Sequence, residues 1–138
     1  MGLDMYLTAD EYMWTRDRQS FKATFDFPVE QITYEVCYWR KANAIHKWFV
    51  DNVQQGKDDC DKYEVSEKQL RDLLKTVKAV LADPSRAAEL LPPCSGFFFG
   101  STEIDNSYMY DLRATEEALR KIPPDMMEKV RFHYQASW

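Results

Sequence analysis

The stretch Val36–Val50 constrains the fold of this chain most, because it combines the apolar spacing of a core element with many polar side chains. Trp39, Asn43 and His46 form one flank when the stretch is read as a helix. The buried face of that helix then carries one apolar residue per turn, which is typical of an amphipathic helix: Tyr38, Ala42, Ile45, Phe49 and Val53. The stretch therefore predicts a helix that packs on the core and whose flank faces a pocket.

Alternating apolar and polar residues predict strands near both ends of the chain. Such alternation places successive side chains on opposite faces of a sheet. A short apolar run between two glycines predicts a further, central strand. The predicted strands are Gly2–Thr8, Gln31–Cys37, Gly96–Phe99 and Val130–Ala136, with Ala9–Gln19 as a second strand or hairpin arm and Ser20–Phe27 as an edge strand or loop.

Two further helices are indicated by their termini. Ser66 to Gln69 has the pattern of a capping box that opens a helix, and Asp83–Pro84 begins a short helix. A third helix follows Thr102 and ends before Pro123. The order of elements predicts an α+β fold, a mainly antiparallel sheet with about three helices packed on one face. A chain of 138 residues fits a single domain, residues 1–138.

The distribution of charge restricts the ligands that the chain can bind. The formal net charge is −5, which argues against general binding of nucleic acid through phosphates. Residues 36–55 contain three bases and one acid, a local charge of +2 that suits one small anion. No apolar run reaches the roughly 20 residues that span a bilayer, and the first residues lack a signal-peptide pattern. We expect a cytoplasmic protein that does not bind membranes.

The flank of the central helix is the first candidate binding site. Arg40 can hold a carboxylate or phosphate with two hydrogen bonds, and Trp39 can stack on a ring. Asn43 and His46 can hydrogen-bond the polar edges of a ligand, and Lys47 can neutralise its charge. The alternative is that the aromatic rings are ordinary boundary residues and that the cations are solvated.

The turn after the predicted strand Gly96–Phe99 is the second candidate. Ser101 and Thr102 would lie at a helix N-terminus, where free N–H groups attract anions. The alternative is ordinary N-capping by these hydroxyls, since Glu103 and Asp105 would repel an anion placed there.

The chain offers no motif for catalysis, a metal or a cofactor. Its histidines, His46 and His133, have no neighbouring nucleophile in a known pattern, and its three cysteines lack the spacing of metal ligands. We therefore predict no catalytic residue, no metal site and no cofactor, while leaving an enzymatic role open.

Three blocks and the ending resemble a family of small uncharacterised proteins of bacteriophages and prophages. The blocks are Met1–Leu7, Tyr38–Val50 and Gly96–Glu103, and the aromatic ending is Ser137–Trp138. No activity is established for that family, so the resemblance implies no site residues. It does imply an intracellular accessory protein, and such phage proteins are often counter-defence factors, which is an association of families and not a physical argument.

Three functions are compatible with these observations. The first is a binding protein that sequesters a small anionic, nucleotide-like ligand. The second is an acidic inhibitor of a host protein, in which exposed carboxylates cover a basic surface. The third is a nucleotide-degrading enzyme with His46 or His133 as its acid or base. A homo-oligomer is compatible with all three. The acidic surface of the second would be formed by Asp58, Asp59, Asp61 and Glu64.

Overall fold

The computed structural model describes residues 2–13, 21 and 23–138. Its strands are β1 (Asp4–Tyr12), β2 (Gln31–Arg40), β3 (Tyr63–Val65) and β4 (Val130–Ser137). They form one antiparallel sheet in the order β2-β1-β4-β3, with the first and last strands of the chain paired at its centre. This confirms the predicted antiparallel sheet and the α+β class.

Alternation along the two central strands separates a buried face from an open one. The rings of Tyr6 and Tyr38, on the open face, are both exposed and lie 5.3 Å apart between centroids. The opposite face meets the helices in one hydrophobic core. The buried strand residues are Met5, Leu7 and Ala9 of β1 and Phe132, Tyr134 and Ala136 of β4.

Five α-helices lie in the part of the chain that the structure describes, where about three were expected. They are α1 (Asn43–Asn52), α2 (Glu67–Ala82), α3 (Ala87–Leu90), α4 (Asn106–Arg120) and α5 (Pro124–Lys129). The capping box at Ser66 and Gln69 is present, with reciprocal side-chain to backbone hydrogen bonds. Asp83 caps a single 3-10 turn that leads into α3. No helix in residues 2–13, 21 and 23–138 is long and apolar enough to cross a bilayer.

The prediction that the central helix begins at Tyr38 is wrong. Trp39 and Arg40 belong to β2, where they pair with Met5 and Asp4. The chain then turns at Lys41, which has a φ of +55°, and α1 begins at Asn43. Cys37 and Trp39 both face inward, as alternate residues of a strand do. The side chains of this stretch fit a helix as well as a strand, and the pairing with β1 decides in favour of the strand.

The predicted central strand at Gly96–Phe99 is also wrong. The Phe99 N–H donates to the Gly96 carbonyl at 3.1 Å, which closes a turn, and β1 and β4 form the centre of the sheet. The helix expected after Thr102 begins at Asn106, with the Asp105 side chain as its N-cap. Ser101 and Thr102 therefore lie in the preceding loop and do not cap a helix.

The two remaining strand predictions fall partly outside the described residues. The second strand or hairpin arm at Ala9–Gln19 begins inside β1, which continues to Tyr12, and positions 14–19 lie outside that part of the chain. Of the segment Ser20–Phe27, positions 21 and 23–27 form no strand, and positions 20 and 22 are not described. The short strand β3 was not predicted.

Candidate functional site

A cleft of about 690 Å³ opens between the end of β2, the start of α1 and the loop that leads into α4. Its volume lies within the range of roughly 300–1,000 Å³ that is usual for small-ligand sites. The β2–α1 turn contributes Arg40, Lys41, Asn43 and Ala44. The opposite wall contributes Pro93, Gly100, Ser101, Glu103, Asp105, Asn106, Ser107, Tyr108, Tyr110, Asp111 and Arg113. The two segments selected from the sequence thus meet at one cleft.

The side-chain amide of Asn43 joins the two walls. Its Nδ2 donates to the carbonyls of Phe99 and Ser101, at 3.0 and 2.9 Å, and its Oδ1 accepts from the Cys94 N–H at 3.0 Å. The residue is buried. Both amide protons and one acceptor site are therefore used within the protein, so Asn43 holds the cleft together and is not free to recognise a ligand.

Two glycines of the loop allow close contacts, one within the loop and one with the β2–α1 turn. A Cβ on Gly96 would lie 2.4 Å from the ring of Phe99, which packs over this glycine. Gly100 has a φ of +86°, and a Cβ there would lie 3.1 Å from the Cβ of Lys41. A side chain at Gly100 would therefore press on the β2–α1 turn, whereas a side chain at Gly96 would displace the Phe99 ring within the loop.

Trp39 lies behind the α4 wall of the cleft. Only 3% of the residue is exposed. Its Nε1 donates to Thr115 Oγ1 at 2.7 Å, and the Thr115 hydroxyl donates to the Asp111 carbonyl at 2.7 Å. Trp39 therefore presents no free face for stacking, contrary to the role expected from the sequence, and instead ties α4 to β2.

His46 is buried in a chain of hydrogen bonds. Its Nδ1 lies 2.7 Å from the Tyr134 hydroxyl and its Nε2 lies 2.8 Å from Asp58 Oδ1. The residue is 1% exposed, and the edge of its ring meets Phe99. Both ring nitrogens are thus occupied, so His46 is a core histidine and does not line the cleft. His133 lies elsewhere, on the open face of the sheet, with its Nδ1 3.3 Å from Asp10 Oδ2.

The cations of the site differ from those expected. Arg40 Nη1 contacts Asp4 Oδ1 at 2.8 Å, which raises the pKa of Arg40. Lys47 contacts Asp51 at 2.6 Å on the outside of α1, away from the cleft. Lys41, which was not selected from the sequence, lines the cleft together with Arg113.

Three carboxyl groups, those of Glu103, Asp105 and Asp111, line the same cleft. Asp105 Oδ1 accepts from the Tyr108 N–H at 3.0 Å as the N-cap of α4. The pKa of Asp111 is raised from 3.8 to about 6 because burial, and next the charge of Asp105, disfavour its ionised form. A half-buried carboxyl with a raised pKa is able to bind a hydrogen-bond donor or exchange a proton near neutral pH.

Three of the seven residues proposed from the sequence line the cleft, and four do not. Arg40, Asn43 and Ser101 are cleft residues. The others are buried behind it, paired outside it or exposed in the loop: Trp39, His46, Lys47 and Thr102. The residues that sequence reasoning missed include Tyr110, Asp111 and Arg113, whose helical spacing on the polar side of α4 was the available signal.

Comparison with known proteins adds no relative: no family model, no curated protein and no solved structure matches the chain. Among residues 2–13, 21 and 23–138, no three His, Cys, Asp or Glu side chains are grouped so as to hold a metal ion.

We predict that Asn43→Ala lowers the free energy of unfolding by roughly 2–4 kcal/mol, because one buried and two partly buried backbone groups lose their partner. Asn43→Asp should destabilise the fold similarly, since a carboxylate cannot donate to the Phe99 and Ser101 carbonyls. The measurement is urea denaturation followed by tryptophan fluorescence. Asn52→Ala, at the exposed end of α1, is the control and should cost less than about 1 kcal/mol. Equal losses for Asn43→Ala and Asn52→Ala would contradict the joining role.

The raised pKa of Asp111 predicts a pH dependence of stability with a definite sign. Between about pH 4 and pH 6 the folded chain holds a proton that the unfolded chain releases. The free energy of unfolding therefore falls as the pH rises through this window. Asp111→Asn has no carboxyl at this position, so this part of the pH dependence should be missing in the variant. Urea denaturation of both proteins from pH 4 to pH 7 measures the difference between them. Parallel pH profiles would contradict a raised pKa for Asp111.

Proposed function

We propose that this protein binds and sequesters a small, nucleotide-like ligand in the cleft. One observation carries the proposal: a cleft of about 690 Å³ combines cationic, aromatic and carboxyl side chains on two walls that the buried Asn43 amide joins. A nucleotide has an anionic group, a flat ring and several hydroxyl or amino donors, and each of these has a counterpart among the cleft residues.

Each cleft group suits one part of such a ligand. The Lys41 ammonium and the Ser101 hydroxyl would contact the anionic group. The ring of Tyr110 is 68% exposed at the cleft and would stack on the base. The carboxyls of Glu103 and Asp111 would accept hydrogen bonds from sugar hydroxyls or an amino group. In this proposal Lys41 takes the role first assigned to Lys47, and Tyr110 takes the role first assigned to Trp39.

Binding without turnover is favoured over hydrolysis by the state of the histidines. His46 has both ring nitrogens within hydrogen-bonding distance of protein groups and is buried. His133 lies on the open face of the sheet and does not line the cleft. The counter-defence role, in which a host signal nucleotide is withheld from its receptor, rests on the resemblance to phage proteins.

Lys41→Gln is expected to weaken binding of a nucleotide by about tenfold, because one charge-assisted contact to the anionic group is lost. The matched control is Lys47→Gln on the outer side of α1, which should leave the affinity unchanged. Isothermal titration calorimetry with the four nucleoside 5′-monophosphates and the corresponding 3′,5′-cyclic monophosphates measures the effect. Absence of binding by every compound would overturn the proposal, as would equal losses in the two variants.

A second candidate function, inhibition of a host protein, is favoured by an exposed aromatic pair on the same loop. Phe97 is 81% and Phe98 43% exposed, and their rings meet edge to face at 4.7 Å. The Phe98 carbonyl accepts from the Leu3 N–H at 3.2 Å, which holds the backbone of the pair beside the start of β1. Aromatic residues, Phe among them, are enriched at protein interfaces relative to the rest of the surface.

The acidic segment Asp58–Glu64 was expected to support this function, but two of its carboxylates are paired within the protein. Asp58 is paired with His46, and Asp59 accepts from the Tyr63 hydroxyl at 2.7 Å. Asp61 and Glu64 remain exposed. The segment lies beside the end of β4, where Gln135 Nε2 donates to the Cys60 carbonyl at 2.9 Å. Its remaining charge would complement a basic rim on the partner.

If the protein is an inhibitor, Phe97→Ser should abolish capture of a stoichiometric host protein from lysate, because it removes the most exposed apolar side chain of the pair. Phe27→Ser is the matched control, since Phe27 is 79% exposed and belongs to a different segment of the chain. The captured protein should dissociate as the salt concentration rises, since the rim contact is electrostatic. Retention by Phe97→Ser, or loss in both variants, would count against this function.

A further inference from the structure

We infer that the cleft selects nucleotides with a single phosphate group and rejects polyphosphates. The inference rests on the proposed function and adds the class of ligand. It follows from the charges that line the cleft, which balance one another: Arg40, Lys41 and Arg113 against Glu103, Asp105 and Asp111. Sites that bind polyphosphates place several cations or a metal around the phosphates, and this cleft has no such excess.

One of the three cations is already neutralised. Arg40 Nη1 lies 2.8 Å from Asp4 Oδ1, and the same carboxylate oxygen accepts from the Tyr38 hydroxyl. These two contacts lower the pKa of Asp4, so its negative charge is held against Arg40 over the whole neutral range. Two cations, Lys41 and Arg113, therefore face three carboxyl groups, so the cleft has no excess of positive charge.

The three carboxyls limit where a second phosphate can lie. Asp105 is fixed as the N-cap of α4, with Oδ1 3.0 Å from the Tyr108 N–H. Asp111 follows less than two helical turns later and is half-buried in the same wall. A phosphate that extends from Lys41 along this wall would approach these carboxylates, and like charges repel.

The carboxyls also explain what the cleft would accept in place of further phosphates. A carboxylate is an acceptor with two oxygens, and ribose hydroxyls and exocyclic amino groups are donors. Tyr110 supplies an exposed ring on the same helix. One phosphate at Lys41 and a donor-bearing nucleoside along α4 would therefore satisfy both kinds of group in the cleft.

The test compares nucleotides that differ only in the number of phosphates. Calorimetric titrations at pH 7.5, low salt and without divalent cations use the mono-, di- and triphosphates of adenosine, guanosine, cytidine and uridine. The wild-type protein should bind at least one monophosphate, with the affinity falling about tenfold for each added phosphate. The double variant Glu103→Gln/Asp111→Asn should gain affinity for the triphosphate. This gain would narrow the gap, that is, the difference in affinity between the monophosphate and the triphosphate of one nucleoside. Glu128→Gln, an exposed carboxyl on α5, is the control and should leave the gap unchanged.

Each outcome separates the inference from the proposed function. A gap that narrows in the double variant and not in the control supports the inference. The narrowing reflects a gain of affinity for the triphosphate, and misfolding of the variant would not produce such a gain. Triphosphates that bind wild type as tightly as monophosphates would overturn the inference and leave the proposed function standing. A gap that persists in the double variant would also overturn the inference, since the carboxyls would not be its cause. Failure of all twelve compounds to bind would overturn both.

Discussion

The buried side-chain amide of Asn43 is the interaction on which the cleft depends. Residues 92–104 contain no helix or strand, so their backbone groups cannot find partners within regular structure. Buried backbone donors and acceptors require hydrogen bonds, and an Asn side chain supplies two donors and an acceptor from one point. Asn43 uses them on Cys94, Phe99 and Ser101. The loop is thereby held against the first turn of α1, and the loop in turn leads to the position at which α4 begins.

The helix that carries Asn43 is itself fixed by a second polar chain inside the core. Asp58, His46 and Tyr134 are joined by hydrogen bonds of 2.8 and 2.7 Å, which connect the loop after α1, α1 itself and the central strand β4. The Tyr134 ring also stacks on Phe49 at 3.8 Å. Because α1 is held on both sides, the β2–α1 wall of the cleft is pre-organised, and ordering it costs little free energy when a ligand binds.

The sequence allowed the α+β class, the two central strands, the capping box of α2 and the Asp83 cap of the 3-10 turn to be predicted, because these depend on local patterns. Ser66 and Gln69 form a capping box wherever a helix follows them. The boundary between β2 and α1 was not predictable in the same way. The spacing of Tyr38, Ala42 and Ile45 fits a helix, while Cys37 and Trp39 alternate as in a strand, and only the pairing with β1 decides between the two. A three-phenylalanine run likewise resembles a strand until the Phe99 ring is seen to pack over Gly96.

The site was predicted for the right region but with many of the wrong side chains, and the reason is physical. Trp39, Asn43 and His46 are side chains that can be buried when each polar atom finds a partner, and the core supplies those partners in Thr115, the loop backbone and Tyr134. Such groups fix the relative positions of β2, α1 and α4, and so they determine where the ends of these elements meet. The groups left open to solvent are those at the ends, at Lys41 and along the first turns of α4. The mixture of aromatic, amide and imidazole groups in this stretch of sequence therefore marked the framework of the cleft, and the residues open to a ligand lie at the adjoining turns.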